Sequence, residues 1–166
     1  MTGQEQQYIF KEWLDRHKAL IFKIVQAYGR TAMDQDDLFQ EISIQIWRSI
    51  PTFREESAIT TWIYRIALNT AIKWITRERK YRDTNGAMEN VPDILSRHNI
   101  MVDERLTWLY EAIHQLDEID RSVTLLLLDG FSYKEIAAIL GISESNVGVK
   151  INRIKKQLII QSKKFI

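Results

Sequence analysis

The chain has 166 residues, 45% of them hydrophobic, and its 23 Lys and Arg nearly balance 22 Asp and Glu, for a net charge of +1. This length and composition suit one ordinary globular domain or two small ones and exclude disorder throughout. With no cysteine, and with His17, His98 and His114 far apart, disulfides and zinc-type sites are excluded, so no metal and no cofactor is expected.

The opening MTGQEQQYIFKEW has neither a basic leader nor an apolar signal core, and no apolar run reaches bilayer-spanning length. A cytoplasmic protein without membrane insertion is expected. From Tyr8 to Tyr28, Phe10, Trp13, Leu14, Ile21, Ile24 and Val25 recur at three- and four-residue spacing, which predicts one long amphipathic helix. Gly29 ends it, and Asp34 is placed to cap the next helix. Asp36 and Asp37 then fall in a first turn where negative charge complements the helix dipole. This second helix runs to about Ser49 and buries Leu38, Ile42 and Ile46. It leaves Asp37, Gln40, Glu41, Gln45 and Arg48 for solvent or a partner. Dipole compensation accounts for two of the acids but not for Gln40 and Glu41.

Pro51 and the polar residues 52–57 interrupt the pattern before a third helix, from Ile59 to about Arg82. Ile59, Ile63, Ile66, Ala67, Thr70 and Trp74 form its expected core stripe. Trp62, Arg65, Asn69, Lys73 and Lys80 form a second stripe that mixes aromatic, amide and cationic groups. Such a face suits nucleic acid: cations neutralise phosphates, an amide reads a base edge, and rings stack unpaired bases at about 1–3 kcal/mol each. A solvated helix face with Trp62 in the core is the competing reading. Lys73, Arg77, Arg79, Lys80 and Arg82 make a basic tract with only Glu78 opposing it in sequence.

Residues 83–101 lose periodicity, with Asn85-Gly86 and Pro92 as breakers, and read as a flexible linker. Beyond it, Leu106, Leu109, Ile113 and Leu116 mark one helix, and Val123, Leu126 and Leu127 mark another that ends at Gly130. The expected fold is all-α: two small helical domains, 1–82 and 102–166, joined by the linker, with no strand-type alternation.

Ser132 to Leu158 is a helix-turn-helix signature. Ser132 with Glu135 makes a capping box, Ile136, Ala137 and Leu140 supply an apolar stripe, and Gly141 takes the turn. Ser143 then caps a second helix whose Val147, Ile151, Ile154 and Leu158 face inward. Ser145, Val149, Asn152, Arg153 and Lys156 lie on the opposite face, as a helix in the DNA major groove requires. Taken alone, the segment also fits an ordinary helical hairpin with a basic face.

An acidic helix, a basic and aromatic helix, a linker and a helix-turn-helix in this order resemble the extracytoplasmic-function (ECF) sigma factors of bacterial RNA polymerase, group 4 of the sigma-70 superfamily. The resemblance covers nearly the whole chain. DQDDLFQEISIQIW at 34–47 looks like the family's polymerase-binding helix, and FREESAITTWIYRIALNTAIKWITRERK at 53–80 looks like its promoter-melting and minus-ten segment. The helix-turn-helix matches the segment that reads the minus-thirty-five element.

The resemblance implies a non-enzymatic, dissociable subunit that directs core polymerase to promoters. Asp36, Asp37, Gln40 and Glu41 would meet the coiled coil of the largest subunit, and the C-terminal domain would meet the flap. Phe53, Arg54, Ser57, Thr61, Trp62, Arg65, Asn69 and Lys73 would contact minus-ten DNA. Ser143, Ser145, Asn146, Val149, Lys150, Asn152, Arg153 and Lys156 would contact minus-thirty-five DNA. Family habit adds an anti-sigma factor as a partner. The chain departs from the family pattern at Lys73, where an acid is frequent, and at Asp117, where proline is frequent. It departs again at Gly148-Val149, where a polar or basic pair is usual. Gly148 would permit close backbone approach to DNA, and Val149 would pack on a thymine methyl. The alternatives are a helix-turn-helix regulator acting without polymerase and a helical interaction protein with no DNA role.

Overall fold

The computed structural model describes residues 1–85 and 103–165, and every regular element among them is helical. They fall into two compact units. The first holds α1 (Gly3–Tyr28), α2 (Ala32–Ser49), a short 3-10 turn (Ile50–Thr52) and α3 (Ile59–Asn85). The second holds α4 (Glu104–His114), α5 (Glu118–Leu128), α6 (Tyr133–Leu140) and α7 (Glu144–Phe165). The expected 83–101 linker starts inside α3, which continues to Asn85, and from residue 86 it lies outside the described residues.

Helix α1 begins before the expected Tyr8 because a capping box, not apolar periodicity, starts it. Glu5 N–H donates to Thr2 Oγ1 at 3.2 Å, and Thr2 N–H donates to the Glu5 carboxylate at 2.9 Å. The helix bends at His17, where φ is −112° and ψ 17°. Thr31, not Asp34, caps α2: Asp34 N–H donates to Thr31 Oγ1 at 3.0 Å. Asp34 stays in the first turn, where its charge still meets the positive helix end.

The first core joins Ile21, Ile24 and Tyr28 of α1 to Leu38, Ile42 and Ile46 of α2, all essentially inaccessible. From α3 it takes Ile63, Ala67, Thr70 and Trp74, as the periodicity requires, and also Tyr64, Leu68 and Ala71. Ile59 and Ile66 are only half-buried. The reason is that α3 packs on both α1 and α2, so its buried face is wider than one stripe.

In the second unit Leu116, Val123, Leu126, Ile136, Val147, Ile151 and Ile154 form the core. Arg121 is also buried there; its Nε donates to the Leu116 carbonyl at 2.9 Å and its Nη2 to the His114 carbonyl at 2.7 Å. These bonds satisfy carbonyls at the end of α4 that no further helical turn reaches. Leu106 is 44% exposed on α4, outside the core assigned to it. On α6, Ile136 and Ile139 are buried while Ala137 and Leu140 are half-buried, because this short helix packs against α5 as well as α7. Leu158 is half-buried, and α7 continues past it to Phe165.

The capping box at Ser132 is formed, with Ser132 N–H to Glu135 Oε1 at 3.0 Å and Glu135 N–H to Ser132 Oγ at 3.1 Å. Gly141 closes α6 at φ +70°, a left-handed conformation that glycine adopts without a Cβ penalty. Ser143 accepts the Asn146 N–H at 3.1 Å and starts α7.

Ser132→Ala removes the cap and is expected to lower stability by about 1 kcal/mol in chemical unfolding. The backbone and hydroxyl of Ser132 hold the Glu135 carboxyl below its ordinary value of 4.5. Its contribution is therefore complete above that value and lost as pH falls through the lower folded-state value. Because alanine at 132 keeps the backbone N–H, the variant that reports this contribution is Glu135→Gln: its gap to wild type is expected to narrow in unfolding curves taken from about pH 6 to about pH 3.

Candidate nucleic-acid interface

Along α2, Asp36, Asp37 and Gln40 are exposed and Glu41 is half-buried. Two of these acids are tied to α3 rather than free, as the helix read by itself implied. Trp74 Nε1 donates to Asp37 Oδ2 at 2.9 Å, and Arg77 Nη2 lies 2.6 Å from Glu41 Oε1. Arg82 reaches to 4.0 Å from Asp34. The basic tract of α3, opposed only by Glu78 along the chain, is thus partly neutralised across the helix pair. Glu41, Gln45, Arg48, Asn69, Lys73 and Arg77 line a shallow groove of about 400 Å³ between α2 and α3.

Arg65, Asn69 and Lys73 lie one turn apart along α3; Asn69 and Lys73 are exposed and Arg65 is half-buried. Trp62 extends this line, but its ring is not a free stacking platform. Phe53 packs edge-on against Trp13, with ring centroids 5.3 Å apart and planes at 90°, and against Trp62 at 5.4 Å and 55°. Phe53 and Trp62 therefore form the packed floor of the loop between the 3-10 turn and α3. The Trp62 Nε1–H is buried there without a hydrogen-bond partner. Above the floor, Arg54 is exposed and Ser57 and Thr61 are half-buried. Glu55 adopts φ +59°, a left-handed value that costs a non-glycine residue energy and that clusters at functional loops. His17 braces the loop's far end, its Nε2 lying 3.3 Å from Thr60 Oγ1.

In the second unit, Ser145, Asn146, Val149, Asn152 and Lys156 are exposed on one side of α7, with Ser143 exposed at its cap. Val149 is 66% exposed, so this apolar side chain stands on the surface and outside the core. Lys150 and Arg153 are not simple solvated cations. Arg153 Nη2 lies 2.6 Å from Asp120 Oδ2, and Lys150 Nζ lies 3.5 Å from Asp120 Oδ1. Asp120 is only 3% exposed. Its hydrogen bond and charge, with Asp117 adding to the field, raise the pKa of the Arg153 guanidinium. Asp117, standing where proline is frequent, caps α5 by accepting the Asp120 N–H at 2.9 Å. In the sequence Asp117 stood out only as a departure from proline; the cap is a local feature, whereas the pairing of Asp120 with residues thirty and more positions later comes from the fold. Gly148 turns its bare side to the Tyr133 ring, where an added Cβ would lie 3.8 Å away. That contact, rather than DNA approach, is what the missing side chain faces.

The sequence matches two known family models over these same segments: Sigma-70 region 2 over residues 13–81, and Sigma-70, region 4 over residues 106–158. The two units are thus those of a sigma-70 family transcription factor. Its relatives narrow the class. The ECF RNA polymerase sigma-E factor of Escherichia coli is 30% identical over 158 residues, spanning 86% of this chain and 81% of that protein. That of Haemophilus influenzae is 33% identical over 137 residues, spanning 75% and 72%. The chain belongs to the ECF RNA polymerase sigma factors. Solved structures share the fold. The sigma factor RpoE of Bartonella quintana, crystallised with the anti-sigma factor NepR, superposes with a TM-score of 0.70 at 20% identity, covering 93% of this chain and 96% of that one. CnrH, solved with the cytosolic domain of CnrY, gives 0.67 at 22% identity, covering 95% and 90%.

Substitutions at two positions test the local chemistry. Asp37→Ala leaves the Trp74 N–H unpartnered and is expected to cost about 1–3 kcal/mol, whereas Asp37→Asn keeps an acceptor and is expected to unfold within about 0.5 kcal/mol of wild type. Gly148→Ala removes a helix-interior glycine at ordinary van der Waals distance from Tyr133, so stability is expected to rise by about 1 kcal/mol. Thermal melts followed by circular dichroism measure both.

Proposed function

We propose that this ECF sigma factor divides its work among three faces. Core polymerase docks on the exposed side of α2 through Asp36, Asp37, Gln40 and Glu41. The loop at Phe53 to Thr61 and the Arg65, Asn69 and Lys73 line of α3 take the minus-ten element and assist melting. The exposed side of α7 takes the minus-thirty-five element, with Ser143, Ser145, Asn146, Val149, Asn152 and Lys156 nearest the groove. Phe53 and Trp62 act by shaping the minus-ten loop rather than by offering bare rings, and Lys150 and Arg153 act from the Asp120 clamp. Val149 packs on a thymine methyl. Residues 83–101 connect the two domains.

The observation that carries this reading is the placement of the α2 acids beside the polar, cationic line of α3, in a unit separate from the helix-turn-helix. An independent operator-binding regulator reads its site through the helix-turn-helix and needs no acid-flanked polar line in a second unit. The factor acts as a subunit of polymerase and not as a catalyst in its own right. No helix of the described residues is long and apolar enough to cross a membrane, which is consistent with a cytoplasmic site of action. An anti-sigma partner, such as the NepR with which the Bartonella quintana RpoE was crystallised, completes this reading.

Run-off transcription with purified core polymerase on a genomic promoter library tests the assignment. Promoter-specific start sites are expected only when the factor is added, and no factor-dependent products would refute it. Within that assay, Asn69→Ala is expected to reduce permanganate-reactive thymines in the promoter bubble while a polymerase pull-down is unchanged. Loss of the pull-down instead would point to misfolding.

A further inference from the structure

Asp120 has a place in the second unit that its neighbours do not explain. Its carboxylate is 3% exposed, yet the two cations it holds stand on the helix expected to meet DNA. Nor does it serve the α5 N-terminus alone, because Asp117 already caps that end. Asp120 takes the Arg153 guanidinium at 2.6 Å and draws the Lys150 ammonium to 3.5 Å, while the Arg153 side chain remains 54% exposed. One carboxylate thus accepts the Arg153 hydrogen bond through Oδ2 and attracts Lys150 across 3.5 Å through an Oδ1 that accepts no hydrogen bond, and it leaves the Arg153 side chain half exposed.

Two consequences follow from elementary electrostatics. A guanidinium held by one of its nitrogens presents its remaining donors in a fixed direction, whereas an unheld one must lose rotamer freedom on binding. A buried negative charge beside two cations also cancels part of the field that draws any phosphate backbone, sequence notwithstanding. Both effects favour the cognate site over other duplexes, the first by strengthening specific contacts and the second by weakening non-specific ones.

We propose that Asp120 is a positioning residue that sets minus-thirty-five discrimination: it orients Arg153 and offsets the charge by which Arg153 and Lys150 would otherwise bind any DNA. This rests on the assignment of α7 to the minus-thirty-five element. Lys150 and Arg153 are the contact residues; Asp120 acts through them and touches no DNA.

The test is a comparison of reconstituted holoenzyme on promoter DNA with the native or a scrambled minus-thirty-five element, over a range of salt concentrations. For wild type, the native element must bind more tightly; equal binding would overturn the assignment of α7 itself. Asp120→Asn is nearly isosteric and keeps a hydrogen-bond acceptor. It is expected to lower the native-to-scrambled affinity ratio about tenfold, and to steepen the salt dependence on scrambled DNA by up to about 0.9 in log–log slope for each newly engaged cation. A lowered thermal midpoint with an unchanged ratio would show a purely structural role and overturn the proposal. Arg153→Lys keeps the charge but not the forked guanidinium, and is expected to lower the ratio with the salt slope unchanged. Should Asp120→Asn fail to fold, an unchanged ratio in Arg153→Lys overturns the proposal on its own.

Discussion

The start of α5 ties the C-terminal unit together through two buried ionisable groups, Asp120 and Arg121. Asp117 caps the helix, Asp120 holds Lys150 and Arg153 of α7, and Arg121 donates to the last carbonyls of α4. A buried charge is tolerated when it is paired, so losing Arg153 would leave the Asp120 carboxylate without its hydrogen-bond donor in a dry site, whereas Arg153 itself reaches solvent. Within one turn of α5, the chain thus fixes α4, α5 and α7 at once. Hydrophobic burial supplies the driving force, but these directional bonds decide which way α7 presents its outer face.

The N-terminal unit solves a related problem with weaker contacts. Asp37 with Trp74 and Glu41 with Arg77 link the outer edges of α2 and α3 above a core of fully buried aliphatic and aromatic residues. The exposed Glu41–Arg77 ion pair contributes little to stability, on the order of 1 kcal/mol or less, whereas the buried Trp74 depends on Asp37 for its hydrogen-bond acceptor. The shared consequence is electrostatic, for the acids of α2 and the cations of α3 form one mixed surface rather than two patches of opposite sign. A partner that seeks the acids must therefore meet or displace Arg77 and Trp74. Around Phe53 the logic differs. Three aromatics packed edge-on and tilted, together with the bend at His17, support a loop whose Glu55 lies in a costly backbone region, and rigid packing beneath is what lets the strained segment persist.

Much of this was legible in the sequence because helical periodicity and caps are local. Leu38, Ile42 and Ile46, the Ser132 capping box, Gly141 and the inward face of α7 all depend on spacings of three or four residues. The errors were local as well. Polar residues 3–7 carry no apolar stripe, yet Thr2 and Glu5 hold them helical, and Thr31 rather than Asp34 caps α2 because the turn begins earlier than the acids suggested. The family relation, too, was readable, since it rests on the order of motifs along the chain.

Sequence by itself determined the all-α class, the helix-turn-helix and the outward line of Asn69 and Lys73, because each is a matter of neighbours within one or two turns. Only the tertiary structure decided which polar residues are free. Asp37, Glu41, Lys150 and Arg153 read as available surface from their own helices, and Trp62 as either a stacking ring or core. Each is engaged or packed by a residue from a distant segment. A helical wheel records which way a side chain points, but not what stands opposite; the partners of these five residues come from contacts between helices, and these form only when the chain folds back on itself.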